Sequence, residues 1–311
     1  MINSNVVVKD SAPKRRLFSM SQKDIIGKIV TYILLGLLSV IWIVPILWII
    51  LCAFRVEYQL DGTYISIIPS TYFPKSFGFK NFVDLFKEPF YNIPNAFPRW
   101  MLNTLIVSVC CCIISTFLIL SVAYCMSKLR FKLRKPFMNL TMVIGLFPGF
   151  MSMIAIYYLL KAIGLTQSLA GLILAYSAGA GLGYQIAKGY FDVIPTSLVE
   201  SAKLDGCSNF NIFLKVILPL AKPIIIYTAL TCFTGPWMDF IFAKVIIGDT
   251  HPEYWTVSVG LYNIMFGPQA KTNYFSMFAA GCVCIGVPIT LLFMFLQRYY
   301  VEGVTAGAVK G

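Results

Sequence analysis

One polar interruption, Pro195 to Pro223, separates two apolar stretches of this chain and holds its most informative residues. Among them are two carboxylates, Glu200 and Asp205, two small residues, Ala202 and Gly206, and two hydroxyls, Ser197 and Ser208, that can cap helices. That set suits recognition rather than bond-making. The chain has no glycine-lysine phosphate loop and no carboxylate-metal constellation, so no catalytic residue, cofactor or metal site is expected. The single histidine, His251, reads as a solvated side chain. Asp239 is the only acidic residue inside an apolar run. Placing one there costs about 2.5–3.5 kcal/mol even on a mild insertion scale, which makes it a functional candidate.

The elements around these residues are set by composition. A mean hydropathy of +0.77 with only 12% charged residues is far from a soluble domain, where about a quarter are charged. The apolar residues fall in runs long enough to cross a bilayer, which takes roughly 20 of them. Six spans are predicted, at about 28–52, 101–127, 137–160, 168–188, 223–246 and 274–297. The first is too long for the apolar core of a signal peptide and lacks a small-residue cleavage site, so it reads as a signal-anchor. Residues 1–27 form a basic tail, 53–100 a long loop rich in proline and aromatics that could pack as short helices, and 298–311 a second tail.

The net charge of +12 is a topology signal. Most of the basic residues lie before the first span, in Lys128–Lys135, between Lys188 and Lys222, and after the last span. An excess of Lys and Arg on short loops marks the cytoplasmic side, which places both termini and the 195–223 loop inside and gives no reason to invoke nucleic acid. Seven of the nine cysteines sit in apolar runs (Cys110, Cys111, Cys112, Cys125, Cys232, Cys282 and Cys284) and act as small hydrophobes.

Within the polar loop, Pro195 opens a helix and Ser197-Leu198-Val199-Glu200 fits a capping box, worth about 1 kcal/mol. Leu198, Ala202 and Leu204 give that helix its small-to-apolar face, and Gly206 ends it in a left-handed turn with Asp205 as turn former. Ser208 or Asn209 caps a second helix, where Phe210, Phe213, Leu214 and Ile217 form a stripe. Physics alone leaves two readings open in equal measure: a partner-docking loop, or a helix lying in the headgroup plane. Elsewhere Gly145, Pro148 and Gly149 disturb the third span and Gly235-Pro236 the fifth. Gly179 and Gly183, four apart, are expected to let a neighbouring helix come close.

Glu200-Ser201-Ala202, three residues, Gly206, nine residues, Val216, one residue and Leu218-Pro219 resembles the EAA loop of permease subunits from ABC-type importers. The family pattern is E-A-A-x3-G-x9-I-x-L-P, from which Ser201 and Val216 depart by small changes in volume. Gly189–Pro195 looks like the run leading into this loop in the carbohydrate-uptake branch. Trp237-Met238-Asp239-Phe240 is similar to that branch's W-N-E-F element, and Gly303–Gly311 looks like the tail of the second permease in maltose-type systems. The resemblance covers about residues 98–311.

The resemblance implies an all-α membrane protein with six transmembrane helices in the type I ABC importer permease fold, the 195–223 loop supplying cytoplasmic coupling helices. The chain would not itself be an enzyme. Its partners would be a second permease, two copies of a cytosolic ABC ATPase, an extracytoplasmic sugar-binding protein and the lipid bilayer of a bacterial inner membrane. Glu200, Ser201, Ala202, Asp205, Gly206, Val216, Leu218 and Pro219 would carry ATPase coupling. Thr305, Gly307 and Lys310 would reach the ATPase dimer interface, and Trp237 and Asp239 would line the pathway or fix a helix. Tyr254, Trp255 and Tyr262, in the predicted outer loop 247–273, are candidates to contact the binding protein or sugar, against the plainer reading of an aromatic belt. An ion-coupled secondary transporter is the alternative, for which several mid-membrane ionisable groups and an internal repeat would be expected; one Asp and no repeat speak against it.

Overall fold

The computed structural model describes residues 22–58, 64–65, 72–269 and 275–305. It divides into two units, Met1–Trp48 and Ile49–Gly311. The described part of the first belongs to helix α1 (Gln22–Ala53), whose last residues lie in the second. Two of its aliphatic hydroxyls bond within the helix, Thr31 Oγ1 to the Gly27 carbonyl at 2.9 Å and Ser39 Oγ to that of Leu35 at 2.8 Å. Hydrocarbon offers side chains no other partner, so such back-bonding is the expected solution.

The second unit begins with a small antiparallel pair, β1 (Glu57–Tyr58) and β2 (Tyr64–Ile65), with Glu57 opposite Ile65. Helix α2 (Lys80–Lys87) follows, so the 53–100 segment does contain a short helix. The buried Asn81 amide pins it by donating to the carbonyls of Ala53 and Arg55, both at 2.9 Å. Helix α3 (Ala96–Lys128) then runs 33 residues and is the centre of the unit.

The third predicted span is two helices, α4 (Arg134–Gly145) and α5 (Gly149–Ala162), bent by 102°. Pro148 sits at the joint in an extended conformation (ψ 129°): it lacks an N–H, and its ring disfavours helical geometry in the preceding residue. Helix α6 (Leu169–Ala180) passes through a 3-10 turn at Gly181–Tyr184 into α7 (Gln185–Val193), so the fourth span runs to Val193. Gly179 and Gly183 do not form the expected close helix contact. Among the described residues a Cβ on either would meet nothing within 4 Å, and Gly183 lies in the 3-10 turn, out of the phase it would hold in a straight helix.

The polar loop contains α8 (Thr196–Leu204) and then α9 (Asn209–Ile212), a π-helical turn at Phe213–Ile217 and α10 (Leu218–Leu220). Helix α11 (Lys222–Met238) leaves it at a 91° bend. The fifth span, predicted as one helix over 223–246, is interrupted at Asp239-Phe240 and resumes as α12 (Ile241–Ile247). Pro236, which cannot donate to the carbonyl one turn back, weakens the end of α11. A 3-10 turn at Pro252–Tyr254, helix α13 (Val257–Phe266) and helix α14 (Phe275–Thr305) complete the described chain. Among the described residues four helical segments are long and apolar enough to cross a membrane, and up to six if each bent pair is one span.

Helix α3 packs against α6, α7 and α11 along its length and α13 near its start, while α14 packs on α11, α2 and α13. At its first turns it fixes the connection from α12 to α13. Trp100 Nε1 donates to the Pro252 carbonyl at 2.9 Å, and Asn103 Nδ2 to those of Glu253 and Trp255 at 2.8 and 2.9 Å. Thr104 Oγ1 accepts from the Val257 N–H at 2.8 Å. Gly260 is required here, since a Cβ would run into the Trp100 ring. Gly260→Val is therefore expected to lower stability by about 1–3 kcal/mol, as overpacking does. Gly183→Ala should stay within about 0.5 kcal/mol of the parent. Thermal unfolding of the purified variants in detergent checks the contrast.

Candidate functional site

The loop between α7 and α11 is seated on the bundle by its apolar side chains. Val199 and Ala202 of α8, with Ile212, Phe213 and Ile217, join a core cluster with Ile119, Leu120, Ala123 and Tyr124 of α3, Ala187 and Phe191 of α7, and Ile224 of α11. The Tyr124 and Phe213 rings lie 5.1 Å apart. The faces expected from spacing are met in part: Ala202, Phe213 and Ile217 are buried as expected. Leu198 and Phe210 are exposed, and Leu204 is 90% exposed. The π turn adds a residue to the local period, so Ile212 and Ile217, five apart, point the same way while Leu214 turns outward.

The helix ends also differ from expectation at one place. Helix α8 starts at Thr196, so Ser197 is already in its first turn and the capping box does not form; no side chain caps this end. Its other end is as expected. Gly206 is left-handed (φ +78°), Cys207 N–H donates to the Ala202 carbonyl and Gly206 N–H to that of Lys203, both at 3.0 Å. This paired closure satisfies orphan carbonyls and fixes the direction of the turn. Ser208 caps the next helix, its Oγ accepting from Asn211 N–H at 3.3 Å.

The motif residues therefore divide into two sets. Glu200, Ser201, Asp205, Gly206 and Pro219 are exposed, whereas Ala202 is buried and Val216 and Leu218 are half-buried against the core cluster. Sequence reasoning missed the exposure of Leu204 and Phe210 on either side of the Gly206 turn; an apolar residue next to a helix-ending glycine is the signal that could have flagged them. Below the loop, Asp192 of α7 accepts from Ser127 Oγ of α3 and Lys188 Nζ, both at 2.7 Å, and Lys128 Nζ donates to the Ile194 carbonyl at 2.5 Å. These bonds tie the base of the loop to the end of α3.

Asp239 lies at the helix break, not within a continuous helix. Its carboxylate accepts from the backbone N–H groups of Phe242 and Ala243, both at 3.2 Å, and from the Tyr176 hydroxyl of α6. Its carbonyl accepts from Ser258 Oγ at 2.6 Å. It thus starts α12 in the manner of an N-cap and links it to α6 and α13. Trp237 is half-buried, and its indole N–H is buried with no partner among the described residues.

The aromatic candidates beyond α12 separate. Trp255 is 1% exposed, donates from Nε1 to the Gly248 carbonyl at 2.9 Å, and packs against Tyr91 and Trp100 with ring centroids at 4.7 and 5.7 Å. It is a core residue, covered on its faces, and its assignment as a sugar or protein contact is corrected. Tyr254 and Tyr262 remain exposed. His251 is half-exposed and pairs with Glu253 at 2.9 Å. Glu253's own backbone N–H, and then His251, hold its carboxyl below the ordinary glutamate range. Of the tail candidates, Gly307 and Lys310 lie outside the described residues, and Thr305 is described only as the backbone end of α14.

The sequence profile of the family "Binding-protein-dependent transport system inner membrane component" matches residues 115–305. The galactooligosaccharides transport system permease protein GanQ of Bacillus subtilis (strain 168) is 34% identical over 298 residues, 95% of this chain and 100% of that protein. The maltodextrin transport system permease protein MdxG of the same organism is 32% identical, covering 94% and 99%. The maltose/maltodextrin transport system permease protein MalG of Vibrio vulnificus (strain YJ016) is 33% identical, covering 70% and 75%. A chain in the crystal structure of a bacterial ABC transporter involved in the import of the acidic polysaccharide alginate aligns with TM-score 0.75. It covers 90% of this chain and 98% of its own at 21% identity, a likeness of fold. An apolar helical bundle with a structured polar loop, a profile match and relatives that align end to end place this chain among the binding-protein-dependent transport system inner membrane components, the multi-pass permeases of ABC importers.

Proposed function

We propose that this chain is one of the two permease subunits of an ATP-driven importer of oligosaccharides, and that it forms half of the translocation pathway. Relatives named for galactooligosaccharides and for maltodextrin agree on that substrate class; a maltodextrin is the finer reading. The carrying observation is the loop: one side is welded into the core cluster, and the other exposes Glu200, Ser201, Asp205 and Gly206. On this reading the exposed side docks on a cytosolic ATPase, present in two copies, and closure of the ATPase dimer is passed to the ends of α3, α7 and α11. An extracytoplasmic binding protein delivers the sugar, Tyr254 and Tyr262 face that side, and both termini lie in the cytoplasm. The tail residues Thr305, Gly307 and Lys310 reach toward the ATPases.

The decisive experiment is sugar uptake by vesicles holding the complete transporter. ATP hydrolysis stimulated by sugar-loaded binding protein is expected; uptake that survives an ATPase-dead partner and collapses with the proton gradient would establish an ion-coupled carrier instead.

Gly206→Val forces a branched side chain into a left-handed turn at a cost of about 1–2 kcal/mol. Local distortion of the docking turn should abolish coupled uptake while the chain still assembles with its partner permease. Wild-type uptake in this variant would refute the docking role.

Asp239 is read as the residue that fixes the α11–α12 break. Asp239→Ala should lower the unfolding temperature, losing a cap worth about 0.5–2 kcal/mol, and Asp239→Asn should retain most of it. An unchanged unfolding temperature with altered sugar preference would make Asp239 a sugar contact.

A further inference from the structure

A cleft of about 420 Å3 opens where the end of α3 faces the first helix of the loop. One wall is Lys128, Leu129, Arg130 and Phe131; the other is built by Thr196, Val199, Glu200, Lys203 and Asn209. Three cations thus face one carboxylate. Among the described residues Arg130 and Lys203 make no ion pair, and Lys128, 8% exposed, spends one of its three donors on the Ile194 carbonyl. Asp192 acts on Lys128 through space, but its oxygens already accept from Lys188 and Ser127. The cleft is therefore left with a surplus of positive charge and of N–H donors.

Its depth says what could use them. Lys128 ends the apolar helix α3 and Arg134 begins α4, so the residues between lie where hydrocarbon gives way to headgroups. Leu129 and the exposed ring of Phe131 line the same opening with apolar surface. A soluble anion would have no use for that surface; a phosphodiester carrying acyl chains would. Basic pockets beside membrane helices favour anionic headgroups, each cation adding about 1 kcal/mol.

We propose that this cleft binds the phosphodiester headgroup of an anionic phospholipid, held by Lys128, Arg130 and Lys203. The headgroup bridges the end of α3 to α8, so it braces the helix that carries Glu200 and Ser201. The leaflet, and the consequence for coupling, rest on the cytoplasmic docking role proposed for α8; the lipid site itself does not.

The test is native mass spectrometry of the full-length chain in its transporter complex, titrated with phosphatidylglycerol or phosphatidylcholine. Phosphatidylglycerol should be retained preferentially. Arg130→Gln with Lys203→Gln should weaken that retention by roughly tenfold or more, from the two lost charges. Lys132→Gln with Lys135→Gln removes the same charge nearby but outside the cleft and should change it less than about twofold. The exposed Lys203→Gln alone should repeat the loss in smaller measure, which keeps the result independent of any folding defect in the double variant. Equal losses in both double variants would reduce the effect to diffuse charge and overturn the site. So would equal retention of the two lipids, or displacement of phosphatidylglycerol by millimolar inorganic phosphate, which would mark a soluble anion as the ligand. Lipid retention is read without ATP or sugar, so its failure is distinct from a failure of coupling in the Gly206 variant.

Discussion

Hydrocarbon leaves the backbone no water to bond with, and each place where this chain leaves helical geometry has to answer that constraint. The answers differ. At Pro148 the residue at the joint has no N–H to orphan. At Asp239 a carboxylate takes the first free N–H groups of α12 and a hydroxyl from α6 as well. At Gly181–Tyr184 and Phe213–Ile217 the chain shifts to tighter or wider turns without breaking its bonds. The interruptions that allow an angular path through a membrane are thus the sites where special residues are concentrated. An ionisable group at a break is consistent with that rule; in a continuous helix facing lipid it would be costly.

Helix α3 links the two ends of the unit under the same constraint. Its first turns spend Trp100, Asn103 and Thr104 on backbone groups of the segment from Pro252 to Val257, which would otherwise be orphaned in a buried loop. Its last turns supply the apolar seat for the polar loop and, through Ser127 and Lys128, two of the bonds that hold the loop's base. A displacement of the loop is therefore applied directly to a helix whose far end is bonded to the α12–α13 connection.

The sequence made some of this legible and hid the rest for physical reasons. Apolar runs announced the spans, and Gly206 announced its turn, because both signals are local: length of hydrocarbon-compatible chain in one case, a positive φ in the other. Pro148 and Pro236 marked disturbances correctly but not their extent, since whether proline kinks or breaks a helix depends on what replaces the lost bond nearby. In the second loop helix Phe213 and Ile217 are buried as spacing suggests, but Phe210 and Leu214 are not, because periodicity assumes a uniform α-helix and a single π turn resets the phase. Ser197 failed as a cap because the helix began two residues earlier than its spacing suggested. Trp255 looked like an exposed aromatic in a loop; its burial depends on Trp100 and Tyr91, more than a hundred and fifty residues away in sequence, which no local pattern reports.

The division of the polar loop into a buried and an exposed side has a mechanical consequence. A docking element transmits force only if it is stiffer than its connection to the partner. Here α8 is nine residues long, closed by two bonds at Gly206 and held from beneath by Val199 and Ala202. Its rigidity comes from packing and not from length, because a helix this short is unstable alone. The motif's small residue Ala202 therefore serves the inside of the protein as much as the outside: it lets α8 lie close on the core, and the exposed Glu200 and Ser201 beside it inherit a fixed position. A larger residue at 202 would lift α8 from its seat and leave the exposed surface chemically intact but mechanically disconnected, which is why the spacing of this loop constrains both of its sides at once.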